Sequence, residues 1–150
     1  MSNSTSLVKS NYLRAKAVEY LWHWIGTPYS WGGDDGLAGW DCSGLMIEIL
    51  QSVGILAHEF DDTAHGLYLR FKDNRVEYAY AGCLVFCFKG GKAIHTEMLM
   101  DDLHVIGASG GGAKVKTIAD AIKANAFVKM RPVNYRGMNY IICDPFMVKE

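Results

Sequence analysis

A single α+β domain spanning residues 1–150 is the fold class this sequence predicts. Two patterns carry the prediction: apolar residues at helical spacing through the first half, and short apolar runs divided by turn residues through the second. A third observation limits the alternatives. The 150 residues contain no internal repeat and no low-complexity tract, which excludes solenoid and disordered architectures.

Taken in order, Leu13, Ala17, Leu21 and Trp24, with Tyr20 beside them, predict an amphipathic helix from about residue 10 to 25, ended by Gly26 and Pro28. Residues 26–40 read as a loop with five glycines and two tryptophans, a composition suited to a cleft wall. A second helix starts near Cys42, with Asp41 as N-cap, an apolar stripe of Leu45, Met46, Ile49, Leu50 and Val53, and Gly54 as its stop. A weaker third helix covers roughly 62–72, with Gly66 lowering its propensity.

The period then changes. Cys83–Phe88, Ala93–Met100 and Leu103–Ala108 are apolar runs separated by Lys89-Gly90-Gly91-Lys92 and by Asp101-Asp102, which predicts a three-stranded meander. Gly110–Gly112 breaks it, either as a plain turn or as a mobile lip of a cleft. Ile118–Ala124 reads as a short helix, and Ala126–Arg131 and Tyr140–Cys143 as closing strands.

Composition narrows the function. Half the residues are hydrophobic, 21% are charged and the formal net charge is −1, with the basic residues scattered. No dense basic stripe exists to displace counterions, so a nucleic-acid partner is not expected. The start of the sequence has no basic segment followed by an apolar core, so no signal peptide is read. No run is long enough to span a bilayer. If the protein works outside the cytoplasm, other machinery is expected to carry it there. Four cysteines, Cys42, Cys83, Cys87 and Cys143, form no C-x-x-C pair, so neither a zinc site nor a disulfide framework is expected. Cys83 and Cys87 read as buried core thiols.

Cys42 differs from the other three by its place. In Trp40-Asp41-Cys42-Ser43-Gly44 it follows a glycine-rich loop and opens a helix, where unpaired N–H groups and the helix dipole favour a thiolate. The same N–H groups can hold an oxyanion, and Gly44 leaves room for a backbone to approach. A packed cysteine opening a core helix is the bland alternative. A thiolate nucleophile needs an imidazole as base and later acid. Of five histidines, His23, His58 and His65 read as surface or capping residues, and His104 lies near a hairpin tip. His95 heads a central strand, where a helix N-terminus packed on the sheet would meet it.

Gly26-Thr27-Pro28-Tyr29-Ser30-Trp31-Gly32-Gly33 followed by Asp41-Cys42-Ser43-Gly44-Leu45 resembles the signature of the NlpC-type cell-wall cysteine peptidases. Ala81-Gly82-Cys83-Leu84-Val85-Phe86 resembles that family's strand before the histidine strand, His95 its histidine, and Val105-Ile106-Gly107-Ala108-Ser109 the strand after. The likeness covers residues 12 to 110. It implies a papain-like NlpC-type fold, with N-terminal helices packed on a central antiparallel sheet. It implies hydrolysis of an amide in peptidoglycan stem peptides, after a D-glutamyl residue, through a Cys42 thioester with His95 as general base and no metal or cofactor. It places Tyr29, Asp41, Ser43 and Trp31 around the substrate. The expectation is then a protein cytoplasmic as made, and virion-associated or delivered to the periplasm or cell wall by phage-tail or secretion machinery, with a cytoplasmic peptide-recycling enzyme as the alternative.

One departure stands out. The family's third polar residue, which orients the imidazole, falls at Gly107, which has no side chain. His104 is three residues away along the strand and on the opposite face. Glu97 shares a face with His95 but sits two residues on, which makes it a weak substitute. A catalytically weak or inactive wall-binding or tail module is therefore the alternative from another class. A related papain-like amidase or acyltransferase is the alternative within the enzymes.

Overall fold

The computed structural model describes residues 3–35 and 39–148. Helix α1 runs Asn3–Trp22, longer at its start and shorter at its end than its apolar spacing predicts. The early turns hold exposed Leu7 and Val8, so they present no buried stripe for periodicity to detect. At the other end His23, Trp24 and Ile25 close i→i+3 turns, and Gly26 at φ +90° donates its N–H to the Val128 carbonyl. The following loop carries a small antiparallel pair, β1 (Asp34–Asp35) and β2 (Gly39–Trp40).

Helix α2 is Cys42–Ser52 and α3 is Ala64–Phe71, the latter extended by a 3-10 turn at Lys72–Asn74. Thr63 caps α3 by accepting from the Gly66 N–H. Gly66 is more than a weak helix former: a Cβ there would run into the Asp62 carboxylate, which folds back over the helix start. Seven further elements complete the chain: β3 (Arg75–Val76), β4 (Leu84–Lys89), β5 (Lys92–Leu99), β6 (His104–Ser109), α4 (Ile118–Ala124), β7 (Phe127–Pro132) and β8 (Tyr140–Cys143). Among the described residues the main sheet has six strands in the order β3-β8-β4-β5-β6-β7, all neighbours antiparallel. The meander β4-β5-β6 is the one expected from the apolar runs. The two-residue strand β3 was not, being too short to show alternation.

One face of the sheet packs on the helices. Leu45, Met46, Ile49 and Leu50 of α2 and Leu67 of α3 join Leu84, Phe86, Met98 and Ile106 in the larger core, each fully buried side chain contributing roughly 1.5–3 kcal/mol. The other face carries Cys83, Val85, Leu99 and Val105, covered by Val133, Tyr135, Tyr140 and Ile142. Two irregularities in β5 matter below. A bulge at Ile94 shifts the β4–β5 register, so that Cys87 faces His95 while Phe88 faces Ala93. Between β5 and β6 only Met98–Ile106 and Leu99–Val105 are paired, so the strands have parted where His95 and Glu97 lie.

Candidate functional site

Cys42 is the first residue of α2. Asp41 caps the helix in an extended conformation, its Oδ1 accepting from the Gly44 N–H at 2.6 Å. The first N–H groups of a helix have no intrahelical acceptor, so those of Cys42 and Ser43 point out of the helix beside the thiol. The loop is stitched to this end of α2, with Asp41 N–H donating to the Gly33 carbonyl at 2.9 Å. That contact explains Gly44. A Cβ there would overlap the Gly33 carbonyl oxygen and lie 2.7 Å from Asp41 Oδ1. The backbone for which Gly44 leaves room is the chain's own loop and not a substrate's.

The Cys42 thiol lies beside the imidazole of His95, which is 5% exposed, close enough to raise the ring's pKa. Cys42 thus comes from a helix start and His95 from a strand beside a bulge, a device that re-aims strand side chains. Burial works against a charged ring, but the hydrogen bonds to Cys42 and Glu97 and the negative charge of Glu97 outweigh it, holding the His95 pKa up at about 9. His95 Nε2 bonds to Glu97 Oε1. Nδ1 is then the ring nitrogen left for the sulfur. Tyr135, in the turn between β7 and β8, donates its hydroxyl to the same Glu97 oxygen and lies 3.4 Å from His95 Nε2. The Arg136 guanidinium lies near the Tyr135 hydroxyl, its positive charge opposing the rise in that group's pKa.

Glu97 also departs from its sequence assignment. Its two-residue offset makes it look out of reach, yet its side chain folds back over Gly107 and contacts the ring. A Cβ on Gly107 would overlap Glu97 Cγ and lie 3.0 Å from its Cβ and Cδ. Tyr135 and Arg136 were missed altogether. No local signal links a turn residue to a histidine 40 positions earlier.

The other expected residues divide. Tyr29 is 5% exposed, and its ring lies against Gly111, where a Cβ would collide with it. Burial, then the nearby Cys42 and Asp41, raise its hydroxyl pKa well above the usual value, against a smaller opposing pull from Arg136. Within the Gly110–Gly112 run, Gly110 bends the chain at φ +89° and Gly111 makes room for this tyrosine. Asp41 and buried Ser43 line a cavity of about 280 Å³ with Gly32, Asp61, Asp62 and Thr63. Burial raises the Asp41 pKa, against bonds from the Gly44 and Gly32 N–H groups and the Ser43 hydroxyl, and Asp61 pushes in the same direction as burial. Trp31 stands apart at the loop rim, 55% exposed, tied down through its backbone N–H to the Val115 carbonyl.

Of the two expected core thiols, Cys83 is buried; Cys143 is buried as well. Cys87 is only half-buried and sits across the strand pair from His95. Burial lifts all three, Cys83 to about 12 and the others to about 11. Among the described residues no cluster of His, Cys, Asp or Glu is arranged to hold a metal ion, and no helix is long and apolar enough to cross a membrane.

Comparison with known proteins agrees with this architecture. A structure of an NlpC/P60 family protein from Bacillus cereus superposes with a TM-score of 0.69 at 22% identity, over 89% of this chain and 40% of that one. The chain therefore spans well under half of the Bacillus protein. The P60 domain of an antigen from Mycobacterium avium subspecies paratuberculosis matches with a TM-score of 0.65 at 22% identity, over 93% of this chain and 98% of that one. The peptidoglycan hydrolase RipB from Mycobacterium tuberculosis matches at 0.62 and 21% identity, over 99% and 70%. No curated protein matches the sequence. The NlpC/P60 family model matches residues 26–132, most of the chain and all of the segment from the glycine loop through His95 to β7, and the chain belongs to that family.

Proposed function

We propose that the protein is a cysteine peptidase that cuts an amide bond in peptidoglycan stem peptides, of the D-γ-glutamyl-diamino acid endopeptidase type. The observation that carries the reading is the juxtaposition of the Cys42 thiol, at a helix start, with the buried imidazole of His95. Membership of the NlpC/P60 family and the fold shared with a peptidoglycan hydrolase support the substrate class.

The chemistry follows from the geometry. Cys42 gives its proton to His95 Nδ1, and the sulfur attacks the scissile carbonyl carbon as the carbonyl electrons move onto oxygen. Outward-pointing N–H groups at the start of α2 meet that oxyanion, with the Tyr29 hydroxyl beside them. Collapse breaks the C–N bond, and His95 hands its proton to the departing amine. The remaining thioester is opened by a water that His95 deprotonates, which releases a carboxylic acid and restores the thiol. The acidic cavity of Asp41, Asp61 and Asp62 suits the ammonium group at the free amino end of a stem peptide.

The alternative of an inactive wall-binding or tail module had the bare Gly107 as its motive. With Glu97 filling that space, the motive weakens.

Digestion of purified murein stem peptides, read by mass spectrometry, tests the reading. The native chain should release fragments cut after D-glutamate, and Cys42→Ser should release none. Transfer of an acyl group to an amine would instead identify an acyltransferase, and intact peptides with the native chain would refute the peptidase.

A further inference from the structure

We propose that Glu97, clamped by Tyr135 and lodged in the space above Gly107, is the positioning residue for His95. The orienting group of the site has thus moved onto the histidine's own strand. The inference rests on the reading of Cys42 and His95 as the reacting pair, but not on the identity of the substrate.

Contact with His95 accounts for a glutamate at this place. It is 2% exposed in a strand of apolar neighbours, facing Val85 across the β4–β5 pair and followed by Met98 and Leu99. A carboxylate buried so deeply is costly unless it is paired. Its partners are the His95 ring and the Tyr135 hydroxyl, both on Oε1, while Oε2 is buried without a hydrogen-bond partner. The carboxylate's pairing is thus spent on the ring and on the group that braces the contact from the far side.

Steric fit points the same way. Residues two apart on a strand point the same way, about 6.6 Å apart, and do not ordinarily touch through compact side chains. For Glu97 to reach back to His95 its chain must lie flat, over the strand beside it. The register that pairs Met98 with Ile106 puts Gly107 opposite Glu97, and Gly107 has no Cβ to obstruct the fold-back. A side chain at 107 and the observed Glu97 conformer exclude one another. The residue that looks like a missing orienter is the one that admits its replacement.

Hydrogen-bond direction agrees. An ionised carboxylate only accepts, so Nε2 must carry a proton and Nδ1 is left to face Cys42. Tyr135 donates to the same Glu97 oxygen from the other side, so the bonds of this series converge on the carboxylate. Such a series fixes one tautomer and one ring plane.

A double-mutant cycle between positions 97 and 107 tests the proposal, with two readouts. The first is the pH profile of Cys42 alkylation by iodoacetamide, which needs no substrate. The second is kcat and KM on murein stem peptides. Glu97→Ala should lower kcat about 10–100-fold, the range seen when an orienting partner is removed from a reactive site, with KM nearly unchanged. The alkylation profile should move toward that of an uncoupled thiol. Glu97→Gln should recover part of the loss, because its carbonyl still accepts from Nε2. Gly107→Ala should reproduce the Glu97→Ala defect, and the Glu97→Ala/Gly107→Ala double variant should be no worse than either single one.

If either alanine variant does not fold by circular dichroism, Glu97→Gln and Tyr135→Phe carry the test. Both should shift the alkylation profile in the same direction, Tyr135→Phe by less. An unchanged profile in Glu97→Gln and Tyr135→Phe, or defects at 97 and 107 that multiply independently, would overturn the proposal. A shifted profile in a chain that cuts no murein peptide would leave Glu97 in its role and remove only the substrate. A native Cys42 that titrates as an isolated thiol would remove the reacting pair and the positioning role together.

Discussion

His95 concentrates the pH behaviour of the molecule. Its pKa of about 9 stands above the ordinary 6.5. A group raised on folding adds stability that is complete below 6.5 and is lost as pH rises through about 9. The native chain should therefore melt at a lower temperature at pH 9.5 than at pH 6, and His95→Gln should flatten that slope in differential scanning calorimetry. The same proton is the one handed to the departing amine, so the alkaline limb of kcat/KM should fall near pH 9. Cysteine selectivity belongs to this scale too. With Cys83 held up to about 12 and Cys87 and Cys143 to about 11, a brief iodoacetamide pulse near neutral pH should mark Cys42 alone in a peptide map.

At the scale of elements, α2 makes Asp41 serve two purposes that substitution can separate. Asn caps as well as Asp, whereas Ala loses the bond to Gly44 N–H. Asp41→Ala should cost about 1 kcal/mol in urea unfolding. Asp41→Asn should keep the stability but raise KM for peptides with a free amino end, and an unchanged KM would leave Asp41 a cap only. The elements also show what was legible in the sequence. The α2 stripe, its cap and the β4-β5-β6 meander follow from local periodicity, and the placing of Cys42 against His95 follows from those together with the resemblance. The first turns of α1 were not legible, because Leu7 and Val8 face solvent and leave no periodic trace. Glu97 was half-legible. Its face could be read from strand alternation, but its reach depends on the opening between β5 and β6 and on the bulge at Ile94, neither of which leaves a mark in composition. Tyr135 was illegible because its contacts span some 40 residues of chain.

At the scale of the whole molecule, the two ends of the chain are locked together away from Cys42. Arg14 of α1 meets Asp144 with a two-pronged contact at 2.9 and 3.0 Å and lies over the rings of Tyr80 and Phe146. The Asp144 carboxylate also accepts from the Tyr80 hydroxyl at 2.7 Å, and Ser10 donates to the Phe146 carbonyl. Removing one partner of such a pair strands the other. Asp144→Ala should destabilise the fold by about 3 kcal/mol, seen as a lower urea midpoint, while the alkylation rate of Cys42 in the molecules still folded stays the same.

The empty side of Gly107 bears on descent as well as on mechanism. Two residues that compete for one volume cannot be exchanged freely during divergence. A lineage holding a large group at 107 must first shed it before a glutamate at 97 can lie down, and the intermediate has no group steadying the imidazole. Positions 97 and 107 should therefore be inherited as a pair.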